Sequence, residues 1–199
     1  YANDNLYGVD MDNIGVKLTK ALMIAFRDGS THVLQGDSVR VHNWKSNFAR
    51  LDQELGSTHT PDGVARKFTV VVTNPPFGEK LKVSAADARS SRYTISQAAA
   101  DGRKGGYADL EIGLIFLEHA YRLLQVGGRV GIVLPETYFF SFSYRWLPNW
   151  LEGRFKLRGM VNIAMEAFEE FCRAKTNFYI FEKIAEIDVE ADQAKEDDK

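Results

Sequence analysis

The sequence has a single cysteine, Cys172, and no run of apolar residues long enough to cross a bilayer. One cysteine excludes an internal disulfide, and a membrane-spanning helix requires about 20 consecutive apolar residues. The four histidines are scattered along the chain, without a cysteine or carboxylate cluster at metal-ligand spacing. We therefore expect a cytoplasmic protein without a structural or catalytic metal.

Acidic charge is concentrated at the end of the sequence. The net charge of the 199 residues is -2, which does not indicate nucleic-acid binding. Residues 185–199 contain seven acids and two lysines, so the rest of the chain carries a net charge of +3. We expect one folded domain over residues 1–184 and an acidic, disordered tail or linker over residues 185–199.

Strand-forming and helix-forming runs alternate along the chain. Asp12 is placed to cap a helix with apolar residues at helical spacing up to Ala25, and Asp109 is placed to cap a longer helix that ends at Leu124. This alternation predicts an α/β fold with a mostly parallel sheet covered by helices on both faces. The predicted strands are Leu6–Met11, Thr31–Leu34, Phe68–Thr73, Arg129–Leu134, Leu157–Ile163 and Thr176–Phe181.

The motif Asn74-Pro75-Pro76-Phe77 directly follows the buried-strand run Phe68–Thr73. Ligands bind at the carboxyl ends of strands in open α/β sheets. The prolines fix the backbone and lack N–H donors, so carbonyl groups stand beside an amide and an aromatic ring. An exocyclic amino group on a planar base fits these acceptors, and Phe77 can stack on the base. The alternative is a tight turn after a strand.

Three predicted strands in succession end in a polar group, namely Asp10, Asp37 and Asn74. A carboxylate at a strand end, such as Asp10, can accept both hydroxyls of a ribose. Asp37 can accept a hydrogen bond from an adenine amino group, or it can form an Asx-turn. Asp12 is interpreted as a helix cap. A dinucleotide enzyme is disfavoured because neither Gly-Gly pair forms a glycine fingerprint between a strand and a helix.

With these residues the chain resembles the amino-directed DNA methyltransferases that use S-adenosylmethionine, in particular adenine-N6 enzymes like the modification subunits of type I restriction systems. The resemblance runs from about Leu6 to Lys183 and comprises five blocks in the order of the family. The blocks are Tyr7-Gly8-Val9-Asp10-Met11-Asp12, Gly36-Asp37-Ser38, Asn74-Pro75-Pro76-Phe77-Gly78, Glu118–Pro135 and Ala174-Lys175-Thr176-Asn177.

The resemblance implies roles for individual residues. It assigns Asp10 to the cofactor ribose, Asp37 to the cofactor adenine, and Asn74, Pro75, Pro76 and Phe77 to the flipped target base. Phe168 lies where related enzymes place a second aromatic against that base; a core phenylalanine is the alternative, and Phe171 is a rival. The implied fold is a Rossmann-like S-adenosylmethionine-dependent methyltransferase sheet. The implied partners are DNA and, outside this chain, specificity and restriction subunits or a target-recognition domain.

One departure from the family concerns its glycine-rich first motif, which precedes the ribose-binding strand. This chain starts at Tyr1, after that motif, so we expect a fragment that lacks the first strand and binds S-adenosylmethionine weakly. Asn-Pro-Pro with an aromatic also occurs in enzymes that methylate a release-factor glutamine or guanine N2 of ribosomal RNA. A third alternative is a non-catalytic DNA-binding or assembly module that retains the fold.

The segment Gly78–Ala108 is rich in serine, alanine and basic residues, with few large apolar side chains. Such a segment has little to bury against the entropy of ordering, so we expect it to be mobile without DNA. Its charges would meet phosphates when substrate arrives. The alternative is a flexible loop that its charges keep soluble.

Overall fold

The computed structural model describes residues 5–27, 32–56, 63–65, 67–76, 78, 80–100, 105–164 and 175–185. Within it the chain divides into two compact units, Tyr1–Arg66 and Lys67–Lys199. The predicted acidic tail lies outside the described residues except for Ala185. No helix among the described residues is long and apolar enough to cross a membrane.

The first unit begins with a strand, a helix and a second strand. These are β1 (Gly8–Asp10), α1 (Asn13–Ala25) and β2 (Val33–Gln35). The two strands pair in parallel, with Asp10 opposite Gln35. As predicted, Asp12 caps α1: its carboxylate accepts the backbone N–H groups of Ile14 at 3.1 Å and Gly15 at 3.0 Å. Helix α1 buries Val16, whereas the apolar face of Ile14, Leu18 and Leu22 is exposed.

Short helices complete the first unit. A 3₁₀ turn (Val41–Asn43) leads into α2 (Trp44–Asn47) and α3 (Ala49–Leu55). Trp44 and Leu51 are fully buried, and the Trp44 indole N–H donates to the carbonyl of Asp37 at 2.7 Å. These contacts attach the helices to the end of β2, where Asp37 lies.

The second unit is built on a four-stranded sheet. Its strands are β3 (Phe68–Thr73), β6 (Leu124–Pro135), β7 (Phe155–Ile163) and β8 (Thr176–Lys183), in the spatial order β3-β6-β8-β7. β3 and β6 pair in parallel, and β8 runs antiparallel to both β6 and β7. Three of the four strands therefore point in one direction, which agrees with the predicted, mostly parallel sheet.

Helix α6 (Ile112–Leu123) lies in the core of this unit. Its residues Leu114, Ile115 and Leu117 are fully buried, as are most side chains in the second half of β6. A helix that is apolar almost all round is a buried one. Asp109 does not cap α6, contrary to prediction; Glu111 occupies the capping position, and the Asp109 carboxylate accepts the N–H of Ala85 at 2.7 Å.

The described residues of the segment between β3 and α6 form regular secondary structure, contrary to the expectation of a mobile loop. It forms β4 (Lys82–Val83), α4 (Ala85–Ser90), α5 (Thr94–Ala99) and β5 (Leu110–Glu111), and β4 pairs antiparallel with β5. Ala88, Tyr93 and Ile95 are fully buried. The segment has few large apolar residues, but Val83, Tyr93 and Ile95 among them are fully buried.

The aromatic segment, residues Thr137–Trp146, follows β6. It contains α7 (Thr137–Phe140) and a 3₁₀ turn (Phe142–Tyr144), and α8 (Leu147–Leu151) comes next. Pro148 lies in the first turn of α8, where its missing N–H removes no helical hydrogen bond.

Candidate active site

Several strand ends of the second unit meet at one edge of its sheet. Thr73, the last residue of β3, is opposite Ile132 of β6, and β6 continues from there to Pro135. Thr176 at the start of β8 is opposite both Pro135 and Ile163, the last residue of β7. This edge therefore carries the carboxyl ends of β3, β6 and β7, where the parallel fold predicts a ligand.

Asn74 is the first residue beyond β3 at this edge. Its side chain is exposed, and its amide makes no hydrogen bond with any described residue. Pro75 is buried and Pro76 is exposed, whereas Phe77 lies outside the described residues. The chain then turns at Gly78, whose φ of +144° is a conformation that favours glycine, and Leu81 N–H donates to the Gly78 carbonyl at 2.9 Å.

The chemistry available at this position is hydrogen-bond acceptance. An amide side chain offers a carbonyl oxygen, and a proline offers a carbonyl without a competing N–H. The buried Pro75 fixes the backbone directly after the exposed Asn74. A planar amine placed here can donate both of its hydrogens to fixed acceptors.

Asp10 lies in the first unit, at the carboxyl end of β1. Its side chain is exposed, and its Oδ1 accepts the backbone N–H of Asp12 at 2.8 Å. Oδ2 accepts no hydrogen bond from the described residues. Asp10 therefore has one carboxylate oxygen held by the backbone and one open to a hydroxyl donor, as a ribose-binding residue requires.

Asp37 lies just beyond β2 and is almost fully buried, with 8% of its surface exposed. Its Oδ1 accepts the N–H groups of Val39 at 3.0 Å and Arg40 at 3.2 Å, and its Oδ2 accepts from the Arg40 guanidinium at 2.7 Å. The Asx-turn that was the alternative prediction for Asp37 is thus observed. A carboxylate accepts about four hydrogen bonds, so Oδ2 retains one acceptor position for an amino group.

The two carboxylates belong to neighbouring strand ends. The N–H of Gly36, the residue before Asp37, donates to the backbone carbonyl of Asp10 at 2.9 Å. The structure thus brings Asp10 and Asp37 to one edge of the β1–β2 pair, as predicted, while Asn74 lies in the second unit. Phe168 and Phe171 are outside the described residues. No His, Cys, Asp or Glu group within the described ranges could hold a metal ion.

Part of the basic charge after Asn74 is already paired. Lys82 lies 3.7 Å from the Glu111 carboxylate, and the Arg89 guanidinium donates to the Gly105 carbonyl at 2.9 Å and lies over the Tyr107 ring. These side chains are exposed enough to meet solvent, but they also hold the α4–α5 segment.

A feature absent from the predicted site is the aromatic segment, which leaves the sheet at the same edge. Burial raises the pKa of Tyr138, and the nearby Glu111 carboxylate adds to the rise, so the phenol stays neutral. Tyr138 packs so closely on the first turn of α6 that a Cβ at Gly113 would lie 3.3 Å from its hydroxyl oxygen. The sequence indicates this segment by its density of aromatic residues, which make up six of the ten residues Thr137–Trp146.

Comparisons with solved structures show which fold this is. The chain is similar to a Listeria monocytogenes protein described as a class I S-adenosylmethionine-dependent methyltransferase, with 16% identity and a TM-score of 0.56 over 92% of this chain and 45% of that one. It is similar to the M protein of the type I restriction enzyme EcoKI, with 18% identity and a TM-score of 0.55 over 89% of this chain and 30% of that one.

A third similar structure is the type ISP restriction-modification enzyme LlaGI, solved as a nuclease-deletion mutant with a DNA substrate mimic. The identity is 14% and the TM-score 0.57, over 90% of this chain and 19% of that one. The chain spans less than half the length of each of these three proteins. No curated protein sequence matches the chain at a significant level.

The fold is that of the class I S-adenosylmethionine-dependent methyltransferases, which confirms the predicted fold class and, at the level of family and fold, the predicted cofactor. The sequence pattern of the Eco57I restriction-modification methylases matches residues 4–168, most of the chain. With the strand-end residues in place at the edges of both sheets, the chain belongs to the Eco57I restriction-modification methylase family.

Proposed function

We propose that this chain is part of the catalytic domain of a DNA methyltransferase that transfers a methyl group to the N6 amino group of adenine. The observation that carries the proposal is the exposed Asn74 at the carboxyl end of β3, followed by the buried Pro75. Membership of a restriction-modification methylase family supports DNA as the substrate.

The chemistry requires positioning more than acid-base catalysis. An aryl amine is a poor nucleophile because its lone pair is conjugated with the ring. The Asn74 carbonyl oxygen and the Pro75 carbonyl accept the two amine hydrogens, which localises the lone pair for in-line attack on a methyl carbon. The proton leaves after attack, so no strong general base is needed beforehand. Phe77, by family resemblance, stacks on the extruded base.

The cofactor site is proposed on the first unit. S-adenosylmethionine supplies, when bound, an electrophilic methyl group on a sulfonium. Asp10 fits the ribose because its Oδ2 is open and its Oδ1 is held by Asp12 N–H. Asp37 fits the adenine amino group less freely, since Arg40 neutralises the carboxylate and leaves it one acceptor position.

The whole protein's context is also a proposal. It acts in the cytoplasm on DNA within a restriction-modification system. DNA sequence choice comes from specificity and restriction subunits, or from a target-recognition domain, outside these 199 residues. The similarity to the M protein of a type I enzyme and to a type ISP enzyme supports this arrangement.

The decisive experiment is Asn74→Ala in the full-length protein. The preorganised acceptor acts on the target amine, so we expect methyl transfer to adenine, measured by mass spectrometry of digested DNA, to fall by about 10²- to 10³-fold. Cofactor binding and stability should not change, because Asn74 is exposed and its side chain makes no hydrogen bond with a described residue.

Asn149→Ala is the matched control, since Asn149 is exposed in α8 of the same unit. It should retain full activity. Wild-type turnover by Asn74→Ala would refute the assigned role. If the enzyme methylates cytosine, a protein amide or ribosomal RNA instead of adenine, the proposed chemistry on a planar amine still holds, but the proposed substrate is wrong.

A further inference from the structure

Two phenylalanines of the aromatic segment are among the most exposed large apolar residues of the molecule. Phe140 is 75% exposed and Phe142 is 77% exposed. Burying a phenylalanine is favourable, so each exposed ring forgoes a substantial stabilisation. Two such exposed rings, two residues apart in the sequence, indicate a surface that binds a ligand.

The exposure does not result from a loosely held loop. Tyr138, between β6 and Phe140, is only 4% exposed, and its ring meets Tyr144 edge-on at 5.0 Å. Phe139 packs on Tyr179 of β8 with ring centroids 4.5 Å apart. Tyr138 and Phe139 before the two exposed phenylalanines and Tyr144 after them therefore pack against other rings. These contacts hold Phe140 and Phe142 in place on the surface.

The charge of the segment is positive. Arg145 is the only charged residue in Thr137–Trp146. Its guanidinium carbon lies 4.5 Å from the centroid of the Phe142 ring, in cation–π contact, and its side chain is exposed. The segment therefore offers flat apolar rings with one cation among them, which is complementary to a nucleobase carrying an anionic phosphate.

The position of the segment connects it with Asn74. β3 and β6 are parallel neighbours, so the chain leaves the sheet at the same edge after Thr73 and after Pro135. The Glu136 N–H, at the start of the connection to the aromatic segment, donates to the Lys175 carbonyl at 2.8 Å, which fixes its exit from the sheet. A strand whose base reaches Asn74 must pass along this edge.

We propose that Phe140 and Phe142 form a stacking surface for unpaired nucleobases of the DNA strand that flank the target base. The proposal deepens the proposed function and rests on it for the identity of the substrate. Extruding a base costs the stacking of its neighbours, and aromatic side chains replace that stacking without regard to sequence. Arg145 packs on one face of the Phe142 ring, and its positive charge attracts the phosphate backbone of the DNA strand.

The test compares two fluorescent oligonucleotides of about 12 nucleotides, one with bases and one fully abasic, binding to the 199-residue chain in anisotropy titrations. The wild-type chain should prefer the strand with bases. Phe140→Ala and Phe142→Ala should each weaken its binding roughly tenfold and leave the abasic strand unchanged, whereas Phe142→Trp should retain it. Arg145→Ala should weaken both strands and reduce the salt dependence of binding.

Phe26→Ala is the matched control, because Phe26 is also 77% exposed but lies at the end of α1 in the first unit. It should bind both strands like wild type. Circular dichroism checks that each variant is folded. The proposal is overturned if the wild-type chain binds neither strand or has no preference for bases, or if the phenylalanine variants bind like wild type. An equal loss of affinity for both oligonucleotides also overturns the proposal, since the surface would then recognise only the charge of the strand.

The outcome is separable from that of the proposed function. Asn74→Ala should abolish methyl transfer in the full-length protein and leave oligonucleotide binding by the chain intact. An enzyme that methylates no DNA while Phe140 and Phe142 still discriminate bases would contradict the proposed substrate only. An active enzyme whose phenylalanine variants bind normally would contradict the stacking surface only.

Discussion

Arg122 and Glu118, one turn apart on α6, form a fully buried ion pair with Nη2 and Oε1 2.6 Å apart. The Arg122 guanidinium also donates to the carbonyl of Ser91 at 2.7 Å and to that of Arg92. Ser91 directly follows α4 as its C-cap residue, and Arg92 comes next with a φ of +57°. The cation therefore satisfies carbonyl groups at the C-terminus of α4.

The anion serves the next helix. Glu118 accepts the backbone N–H groups of Thr94 at 3.2 Å and Ile95 at 2.7 Å, the first two residues of α5. Unpaired N–H groups at a helix N-terminus favour a negative charge. One ion pair on α6 thus holds two successive helix ends in the segment that follows Asn74.

Arg122→Ala should destabilise the second unit by about 3–5 kcal/mol, since it leaves a buried carboxylate without its cation. The change is measured by urea unfolding. Hydrogen exchange in α4 and α5 should accelerate more than in β8. Arg158→Ala is the control: Arg158 pairs with Glu182 at the surface, and exposed pairs contribute little. Similar losses of unfolding free energy for both variants would show that the buried ion pair stabilises the unit no more than a surface pair does.

Local patterns in the sequence predicted much of this fold but not its long-range pairing. β3 was predicted at its observed bounds because Phe68–Thr73 is a continuous strand-forming run. β6 was predicted from Arg129, whereas it begins at Leu124, which is opposite Phe68. The pairing is irregular between Phe68 and Val70, and β6 continues through Gly127 and Gly128.

The α4–α5 segment shows the same limit. Its composition of serine, alanine and basic residues indicated mobility, because few side chains can bury apolar surface. What orders it is the pair Glu118 and Arg122, more than 20 residues further along the chain. The positions of Asp10, Asp37 and Asn74 were predictable because each lies at the end of a strand or just beyond it. The sequence predicted hydrogen-bond partners for Asp37 only through the alternative that this residue forms an Asx-turn.

Asp10 and Asp12 should separate into a binding and a structural carboxylate. Asp10→Asn retains an acceptor for Asp12 N–H but removes the charge, so it should weaken S-adenosylmethionine binding in the full-length protein without lowering the melting temperature. Asp12→Ala removes the cap of α1 and should cost about 1 kcal/mol of stability. Calorimetry and thermal unfolding measure the two effects. A loss of affinity confined to Asp12→Ala would reverse the assignment.

Glu182 should make stability depend on pH. The hydrogen bond from Arg158 lowers the pKa of Glu182 from 4.5 to about 2, and a second hydrogen bond from Arg129 adds to the effect. Because the folded-state pKa is depressed, Glu182 contributes a stabilisation that is complete above about pH 4.5 and is lost as the pH falls towards about 2; solvent screening keeps it small for this surface pair.

Unfolding free energies of wild type and Glu182→Gln should therefore differ at neutral pH and converge as the pH falls below about 4.5. Comparing the two proteins at each pH removes the contribution of the other carboxylates. A difference that stays constant or grows on acidification is incompatible with a depressed pKa. An NMR titration of the Glu182 carboxyl group measures the same pKa directly.

Gly131 and Gly159 provide a matched pair for testing how tightly the sheet is packed. Both are paired with Ile180, Gly131 from β6 and Gly159 from β7. A Cβ at Gly131 would lie 2.3 Å from Cζ of Phe178 and within 3.2 Å of two further atoms of that ring, so the whole ring must move. A Cβ at Gly159 would meet Ile180 at 3.7 Å, an ordinary contact.

Gly131→Ala should therefore destabilise the second unit by about 1–3 kcal/mol through overpacking. Gly159→Ala should be neutral or stabilise by about 0.5–1 kcal/mol, since alanine loses less backbone entropy in a strand. Adding Phe178→Ala to Gly131→Ala tests the cause: because the clash is with that ring, the double variant should lose less stability than the two single losses combined. Urea unfolding of the four variants decides the matter, and a Gly131→Ala protein as stable as Gly159→Ala would mean that Phe178 is free to turn away from β6.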